Sequence, residues 1–264
     1  MDKLIFNTNN VITDEQFLQN QCDMANKLKG KLNELDGINC EKCNNRGYYT
    51  VIKDNDISLE NCECMKLRNL KKRELKSGLG EYLKLRSKDY QVIEPWQNVN
   101  KEKLKKYCFN TTVENKWFIA CGQSGCGKTL MCCIIANHYL YNLNKNVMYI
   151  TWTDFIGKLK RNMMSDNSDL VSLYFDEIKN VEVLYIDELL KTYNDTDLKY
   201  IIELINYRYC NNLVTLITTE RSTNELLNID EATFSRVLEK CGEYVLEVGK
   251  DREKNWRIKN RVIQ

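Results

Sequence analysis

The chain has 264 residues, of which 43% are hydrophobic and 29% are charged, and its formal net charge is +2. These values are ordinary for a globular protein, and the near-neutral charge does not by itself indicate a nucleic-acid partner. No apolar run approaches the roughly 20 residues of a membrane-spanning helix, and the N-terminus lacks the pattern of a secretory signal. We therefore expect a cytoplasmic protein that does not associate with membranes.

The first part of the chain is polar and weakly helical over residues 1–38. A second helical stretch, over residues 65–93, is basic, with nine Lys or Arg between positions 65 and 88 against two acidic residues, Glu74 and Glu81. The only proline, Pro95, lies near a change in composition and indicates a linker. We predict a domain boundary there, with an N-terminal module over 1–93 and a larger domain over 94–264.

Cysteine usage is high, with twelve Cys and a single His, His138. In a cytoplasmic protein this favours metal ligands and small buried side chains over disulfides. Four of the thiols form two close pairs with the spacing of metal ligands, Cys40, Cys43, Cys62 and Cys64. Two such pairs can bind one tetrahedral Zn²⁺. Gly47 permits a tight turn after the first pair, and YYTVI predicts a strand that returns to the second pair. The alternative is four incidental thiols.

From about residue 99, short apolar runs alternate with helical segments, which predicts an α/β fold with a mostly parallel sheet. The predicted strands are Trp117–Cys121, Val147–Trp152, Val183–Asp187, Val214–Thr219 and Tyr244–Val248. The predicted helices are Lys128–Leu140, Thr153–Met163, Leu170–Lys179, Asp197–Cys210 and Glu231–Cys241.

The segment GQSGCGKT fits the phosphate-binding motif G-x-x-x-x-G-K-[ST] and lies between a predicted strand and a predicted helix. Its glycines let backbone N–H groups turn toward phosphates, and the helix N-terminus adds positive potential. We expect Lys128 to neutralise the β- and γ-phosphates of ATP and Thr129 to bind Mg²⁺. The predicted nucleotide-binding residues of this loop are Gly122, Gln123, Ser124, Gly125, Cys126, Gly127, Lys128 and Thr129. We interpret the thiols of Cys121 and Cys126 as small packing groups without a redox role.

The run VEVLYIDEL predicts a second functional strand, which ends at Asp187 and Glu188. At the carboxyl end of a parallel strand, Asp187 would reach the Mg²⁺, and Glu188 would polarise the attacking water as a general base. This pair favours hydrolysis over transfer to a small acceptor.

Several later polar residues are further candidates. Thr219 ends a strand predicted between the loop and the acidic strand and would orient water, with Glu220 as the next choice. Arg236 would act as an arginine finger on a neighbouring subunit's γ-phosphate. Arg257 would sense the γ-phosphate, and Arg208 is a weaker interface candidate.

The chain resembles the DnaC/DnaI-like replicative helicase loaders of the AAA+ class, particularly the phage-encoded forms. The resemblance rests on successive segments between residues 117 and 259, which are WFIACGQSGCGKT, VLYIDELLKT, INYRYCNN, LITTERS, DEATFSRVLEKC and KNWRIK. The cysteine unit followed by a basic helix is also similar to the helicase-binding module of that family.

The resemblance implies an AAA+ ATPase core and a small zinc-binding module. It also implies assembly into a ring or spiral, binding to a replicative DnaB-type helicase and a grip on single-stranded DNA. Arg236 matches the finger position and Arg257 the C-terminal sensor. One departure is the sensor strand, which ends in Thr-Thr-Glu where many AAA+ proteins have Asn. Lys158, Lys160 and Arg161 are possible phosphate contacts, although a solvated face is the default interpretation.

Three other functions remain open at this point. An IstB-like transposase helper would share the core but not the zinc unit, and a P-loop small-molecule kinase would leave the cysteines and the Asp-Glu pair unexplained. In a nucleic-acid adaptor, the zinc ribbon would act and the ATP site would be structural only.

Overall fold

The computed structural model describes residues 13–110, 116–164 and 168–259. The chain divides into two compact units at Lys72. The predicted boundary near residue 93 therefore does not coincide with this division. None of the described helices has the length and hydropathy needed to cross a bilayer.

The first unit contains helices α1 (Asp14–Lys27) and α2 (Leu32–Asp36) and an antiparallel hairpin of β1 (Tyr48–Lys53) and β2 (Asp56–Asn61). Thr13 begins α1 with a capping box, in which its hydroxyl accepts from the Gln16 N–H. The hairpin corrects the sequence prediction of one returning strand. β1 leads away from the first cysteine pair, Asp54 and Asn55 turn the chain with positive φ, and β2 returns.

Helix α3 (Cys64–Ser77) begins at the second cysteine pair and is shorter than the predicted helical stretch to residue 93. Gly78 follows it with φ +70°, a left-handed conformation that ends helices and favours glycine. The chain continues through two short 3₁₀ helices, Gly80–Lys84 and Ser87–Asp89. Pro95 does not mark a linker, because it begins helix α4 (Pro95–Asn110), where its fixed φ is favourable.

The second unit is built on a five-stranded parallel sheet with the order β4-β5-β6-β3-β7. Its strands are β3 (Phe118–Gly122), β4 (Val147–Thr151), β5 (Val183–Asp187), β6 (Val214–Thr219) and β7 (Val245–Val248). All residues of β3, β5 and β6 are buried, as expected for central strands of a parallel sheet that helices cover on both faces. This confirms the predicted α/β class and parallel sheet.

Helices connect the strands and cover the sheet. They are α5 (Lys128–Tyr141), α6 (Trp152–Met164), α7 (Ser168–Asn180), α8 (Asp195–Cys210), α9 (Thr223–Ile229), α10 (Glu231–Cys241) and α11 (Trp256–Lys259). The predicted helices are present with ends shifted by at most two residues, whereas α4, α9 and α11 were not predicted. α5 is buried along nearly its whole length, because its sequence is apolar on every side.

Arg208 on α8 has a structural role, so its assignment as an interface candidate is wrong. The side chain is fully buried. Its Nη1 donates to the carbonyls of Lys179 at 3.0 Å and Val181 at 2.8 Å, and its Nε donates to the Thr215 hydroxyl at 3.0 Å. These carbonyls lie at the C-terminal end of α7, where the last carbonyl groups of a helix have no N–H partner within the helix. Arg208 therefore joins α7, α8 and the start of β6.

Replacing Arg208 with methionine should destabilise the protein by about 3 kcal/mol or more, since several buried carbonyls would lose their donor. Urea unfolding measures the loss. Lys199→Met on the exposed side of the same helix is the control, with an expected change within about 0.5 kcal/mol. If Arg208→Met matched this control, the buried guanidinium would not be a structural support.

Candidate functional site

The phosphate loop lies between β3 and α5, as predicted, and its glycines have the conformations that the turn needs. Gly125 and Gly127 have φ of +79° and +89°. A Cβ on Gly122, whose φ is +143°, would lie 2.7 Å from the Val248 carbonyl oxygen of the neighbouring strand. These positions therefore favour glycine on conformational or steric grounds. The loop leads directly into the N-terminus of α5, which provides N–H groups for an anion.

Lys128 lies at the first position of α5 and is only 8% exposed. Its Nζ donates to the carbonyls of Gly122 and Gln123, both at 2.7 Å. The ammonium group is therefore held against the inside of the loop by two backbone oxygens. It is positioned to neutralise an anion that the loop encloses.

Thr129 and Asp187 meet across the sheet. The Thr129 hydroxyl donates to Asp187 Oδ1 at 3.2 Å, and the carboxylate is 5% exposed. Because β6 separates β3 from β5, these two side chains come together only through the parallel arrangement of the three strands. A hydroxyl and a carboxylate are the oxygen ligands that Mg²⁺ prefers, so the pair fits this ion.

Three more hydroxyls, none of them predicted as a site residue from the sequence, hold Asp187 in place. Tyr185 donates to Oδ1 at 2.8 Å, Tyr149 donates to Oδ2 at 3.1 Å, and Thr218 donates to Oδ1. Burial and the charge of Asp187 raise the pKa of both tyrosines well above the ordinary value, which keeps the hydroxyls protonated as donors. Strand periodicity was the available signal for Tyr185, which shares a face of β5 with Asp187. Tyr149 pairs with Tyr185 through β4, which only the structure shows.

Glu188 follows Asp187 with φ +56°, an uncommon conformation for a residue other than glycine. Its N–H donates to the Thr218 hydroxyl at 2.9 Å, which fixes the turn. Its carboxylate pairs with Lys191 at 3.0 Å and is partly exposed. The turn directs Glu188 into the same cavity as the phosphate loop.

A cavity of about 220 Å³ lies between these elements. Its lining residues are Ser124, Gly125, Gly127, Lys128, Thr129, Leu130, Glu188, Thr218, Thr219, Glu220, Trp256 and Arg257. A second cavity of about 100 Å³ shares Gly125, Gly127, Leu130 and Trp256 with it and is also lined by Tyr90 and Trp96. The loop, the acidic strand and the C-terminal segment thus form one continuous site.

The remaining predicted residues differ in their placement. Thr219 lines the cavity, but its buried hydroxyl donates to the Leu189 carbonyl at 2.9 Å. Arg257 also lines it, and its Nη1 donates to the Ser124 hydroxyl at 3.2 Å. Arg236 lies outside the cavity on α10 and donates to Asn206 Oδ1 at 2.6 Å. The roles of these three residues stay predictions.

The possible DNA-contacting residues lie on α6. Lys160 pairs with Asp197 at 2.6 Å, and Lys158 lies over the ring of Tyr174 at 5.7 Å. Arg161 is exposed. Two of the three cations thus already have partners within the chain, which favours the interpretation as a solvated face.

In the first unit, the thiols of Cys40, Cys43, Cys62 and Cys64 all lie within 4.8 Å of one another. Gly47 has φ +83°, and its N–H donates to Cys43 Sγ at 3.3 Å, while Arg68 Nε donates to Cys64 Sγ at 3.5 Å. Four converging thiols with donors around them fit a tetrahedral metal site with a supporting outer shell. Among the described residues, this is the only group of three or more Cys, His, Asp or Glu side chains that converge closely enough to hold a metal ion.

Comparisons with known proteins agree with this geometry. A profile of the family described as "ATPase family associated with various cellular activities (AAA)" matches residues 118–241. The uncharacterized protein YqaM of Bacillus subtilis is 34% identical over 137 residues, which cover 50% of this chain and 42% of YqaM. The phage-like element PBSX protein XkdC of Bacillus subtilis is 26% identical over 83% of this chain and 86% of its own.

Among solved structures, the DnaC helicase loader superposes with a TM-score of 0.56 at 22% identity. The match covers 64% of this chain and 98% of the loader. At this identity the likeness establishes the fold. Residues 118–241 therefore match the AAA ATPase family, and the chain shares the fold of the DnaC helicase loader over the 64% that superposes.

Proposed function

We propose that this chain is an ATP-driven helicase loader, which binds a replicative ring helicase and single-stranded DNA and delivers the helicase during the initiation of replication. The observation that carries the proposal is a phosphate-binding loop that faces an acidic strand on a DnaC-like fold, in a chain that also has a four-cysteine cluster. The similarity to XkdC of a phage-like element fits a phage-type loader.

In this proposal, the phosphates of ATP bind to the loop amides and to Lys128, and the base occupies the smaller cavity beside Tyr90 and Trp96. Thr129 and Asp187 hold Mg²⁺, which neutralises charge on the phosphates when bound. Glu188 polarises the attacking water as the general base.

Three further residues would contribute to hydrolysis, one from outside this cavity and two from its wall. Arg236 belongs to a different surface from the loop, so it would reach the γ-phosphate of a neighbouring copy in a ring or spiral. Arg257 lies on the same chain's cavity wall and would contact the γ-phosphate directly. Thr219 contributes to water orientation through the turn that it holds at Leu189.

The cysteine module holds Zn²⁺ in this proposal. The buried residues of the described part of the first unit are few, namely Cys22, Cys43, Gly47, Thr50, Cys62 and Arg68. Such a small core does not offset the entropy of ordering the chain, so metal binding would supply folding free energy. The module then presents a fixed surface to the helicase.

Metal analysis of protein purified without chelator should find about one zinc per chain. Replacing both Cys43 and Cys62 with serine should remove the zinc, whereas replacing Cys22, a buried thiol outside the cluster, should retain it. Absence of zinc from the unaltered protein, or its retention in the double variant, would contradict the assignment.

The loader proposal is tested with the full chain, a ring helicase of the host and single-stranded DNA. We expect the helicase to be captured by the unaltered chain and lost with the Cys43→Ser/Cys62→Ser variant, while single-stranded DNA stimulates ATP turnover. Capture of a transposase would support the transposase-helper alternative. Turnover only with a small-molecule phosphate acceptor would support a kinase, and no turnover would support an adaptor.

A further inference from the structure

The segment from Asp251 to Arg257 is fastened to the phosphate loop through the side chain of Gln123. Gln123 Nε2 donates to the Asp251 carbonyl at 2.5 Å, and Gln123 Oε1 accepts from the Asp251 N–H at 2.7 Å. Both hydrogen-bonding groups of the side-chain amide are thus paired with one backbone residue. The side-chain amide therefore pairs with the backbone of Asp251 through one donated and one accepted hydrogen bond, as two backbone peptide groups do in a β-sheet.

Two further contacts follow along the same segment. The Trp256 N–H donates to the Gly125 carbonyl at 3.0 Å, and Arg257 Nη1 donates to the Ser124 hydroxyl at 3.2 Å. A Cβ on Gly125 would lie 2.1 Å from Asn255 Oδ1, so the segment packs closely on this glycine. Three consecutive loop residues therefore contact the segment that carries Arg257.

The segment has little regular structure of its own, since it contains only a 3₁₀ turn at Arg252–Lys254 and one short helix. Its helix α11 has only four residues, and a helix of this length is not stable alone in water. Asp251 caps its own following turn, since its Oδ1 accepts from the Glu253 N–H at 3.0 Å. The position of Arg257 relative to the phosphates therefore depends on how firmly the segment is attached to the loop.

We propose that Gln123 is a positioning residue, which fixes the Asp251–Arg257 segment on the loop so that Arg257 can distinguish ATP from ADP. The phosphate-binding motif accepts any residue at this position, so the motif alone does not require a glutamine. In this chain, the oxygen and the nitrogen of the Gln123 amide both form hydrogen bonds with the backbone of Asp251. This inference rests on the proposed ATPase function and adds a residue that sets nucleotide preference.

The test is Gln123→Met in the full chain, which keeps the length of the side chain and removes both hydrogen bonds. Titration calorimetry gives the Kd for ATP and for ADP. We expect ATP affinity to fall about tenfold, which is the size of effect that the loss of two hydrogen bonds can produce. ADP affinity should change less than about threefold. Arg257→Ala should give the same pattern, and the double variant should be no weaker than Arg257→Ala alone. Lys250→Ala, an exposed neighbour outside these contacts, should match the unaltered protein.

Equal losses for ATP and ADP would show that Gln123 only shapes the loop, and unchanged affinities would show that the attachment is dispensable; either result overturns the inference. Additive losses in the double variant would also overturn it, since the two residues would then act independently. If the unaltered chain bound neither nucleotide, the proposed function itself would fail. If only Arg257→Ala lost the ATP preference, the inference alone would fail.

Discussion

Replacing Lys128 with alanine should abolish detectable ATP binding. The Lys128 ammonium is buried inside the loop and held by the carbonyls of Gly122 and Gln123. Without the ammonium group, the negative phosphates would lie close to the two carbonyl oxygens, and no positive charge would offset the repulsion. A hydrogen bond to a charged group contributes about 1.5–3 kcal/mol, and the loss of several such bonds lowers affinity by about 100-fold or more.

Titration calorimetry of the Lys128→Ala variant with Mg-ATP measures this loss. Lys199→Ala, which removes an exposed lysine of α8, is the matched control and should bind as the unaltered protein does. A melting temperature close to that of the control would establish that the variant is folded. ATP affinity within a few-fold of the control would be incompatible with the loop as the phosphate site.

Glu188→Gln should separate binding from hydrolysis. The substitution keeps the shape of the side chain and the turn that Thr218 fixes, but it removes the carboxylate that would accept a proton from water. General-base catalysis contributes about 10²- to 10⁴-fold, so turnover should fall by that factor while ATP affinity changes little. The measurement pairs steady-state phosphate release with ATP titration.

Glu220→Gln is the informative comparison, because Glu220 lines the same cavity one strand away. We expect it to retain most of the turnover. If Glu220→Gln lost more activity than Glu188→Gln, the general base would be Glu220. If neither substitution slowed phosphate release, no carboxylate at this edge of the sheet would act as the base.

The sequence identified the nucleotide site because its signals are local. GQSGCGKT has the residue spacing of the phosphate-binding motif and lies between a predicted strand and a predicted helix, as that motif requires. The apolar run before Asp187 is typical of a buried central strand. From parallel strands alone, it follows that Lys128, Thr129 and Asp187 lie at one edge of the sheet. The structure confirms that Thr129 and Asp187 are in contact.

Features that depend on packing between distant elements were not predicted. Arg208 has the sequence context of a surface residue, and only the close approach of α7 and β6 makes it a buried donor. Tyr149 contacts Asp187 because β4 pairs with β5, an order that the sequence does not specify. The polar α4 was missed because its helical pattern is weak, and β2 was missed because none of its residues is buried.

ATP hydrolysis at this site requires one arrangement, in which a triphosphate lies in the loop and its metal ion lies between Thr129 and Asp187. The most direct test is a crystal structure of the Glu188→Gln variant with Mg-ATP. We expect the γ-phosphate beside Lys128 Nζ, with Mg²⁺ held by the Thr129 hydroxyl and by Asp187, directly or through its water shell. A nucleotide bound elsewhere, or a metal ion remote from Asp187, would contradict the account.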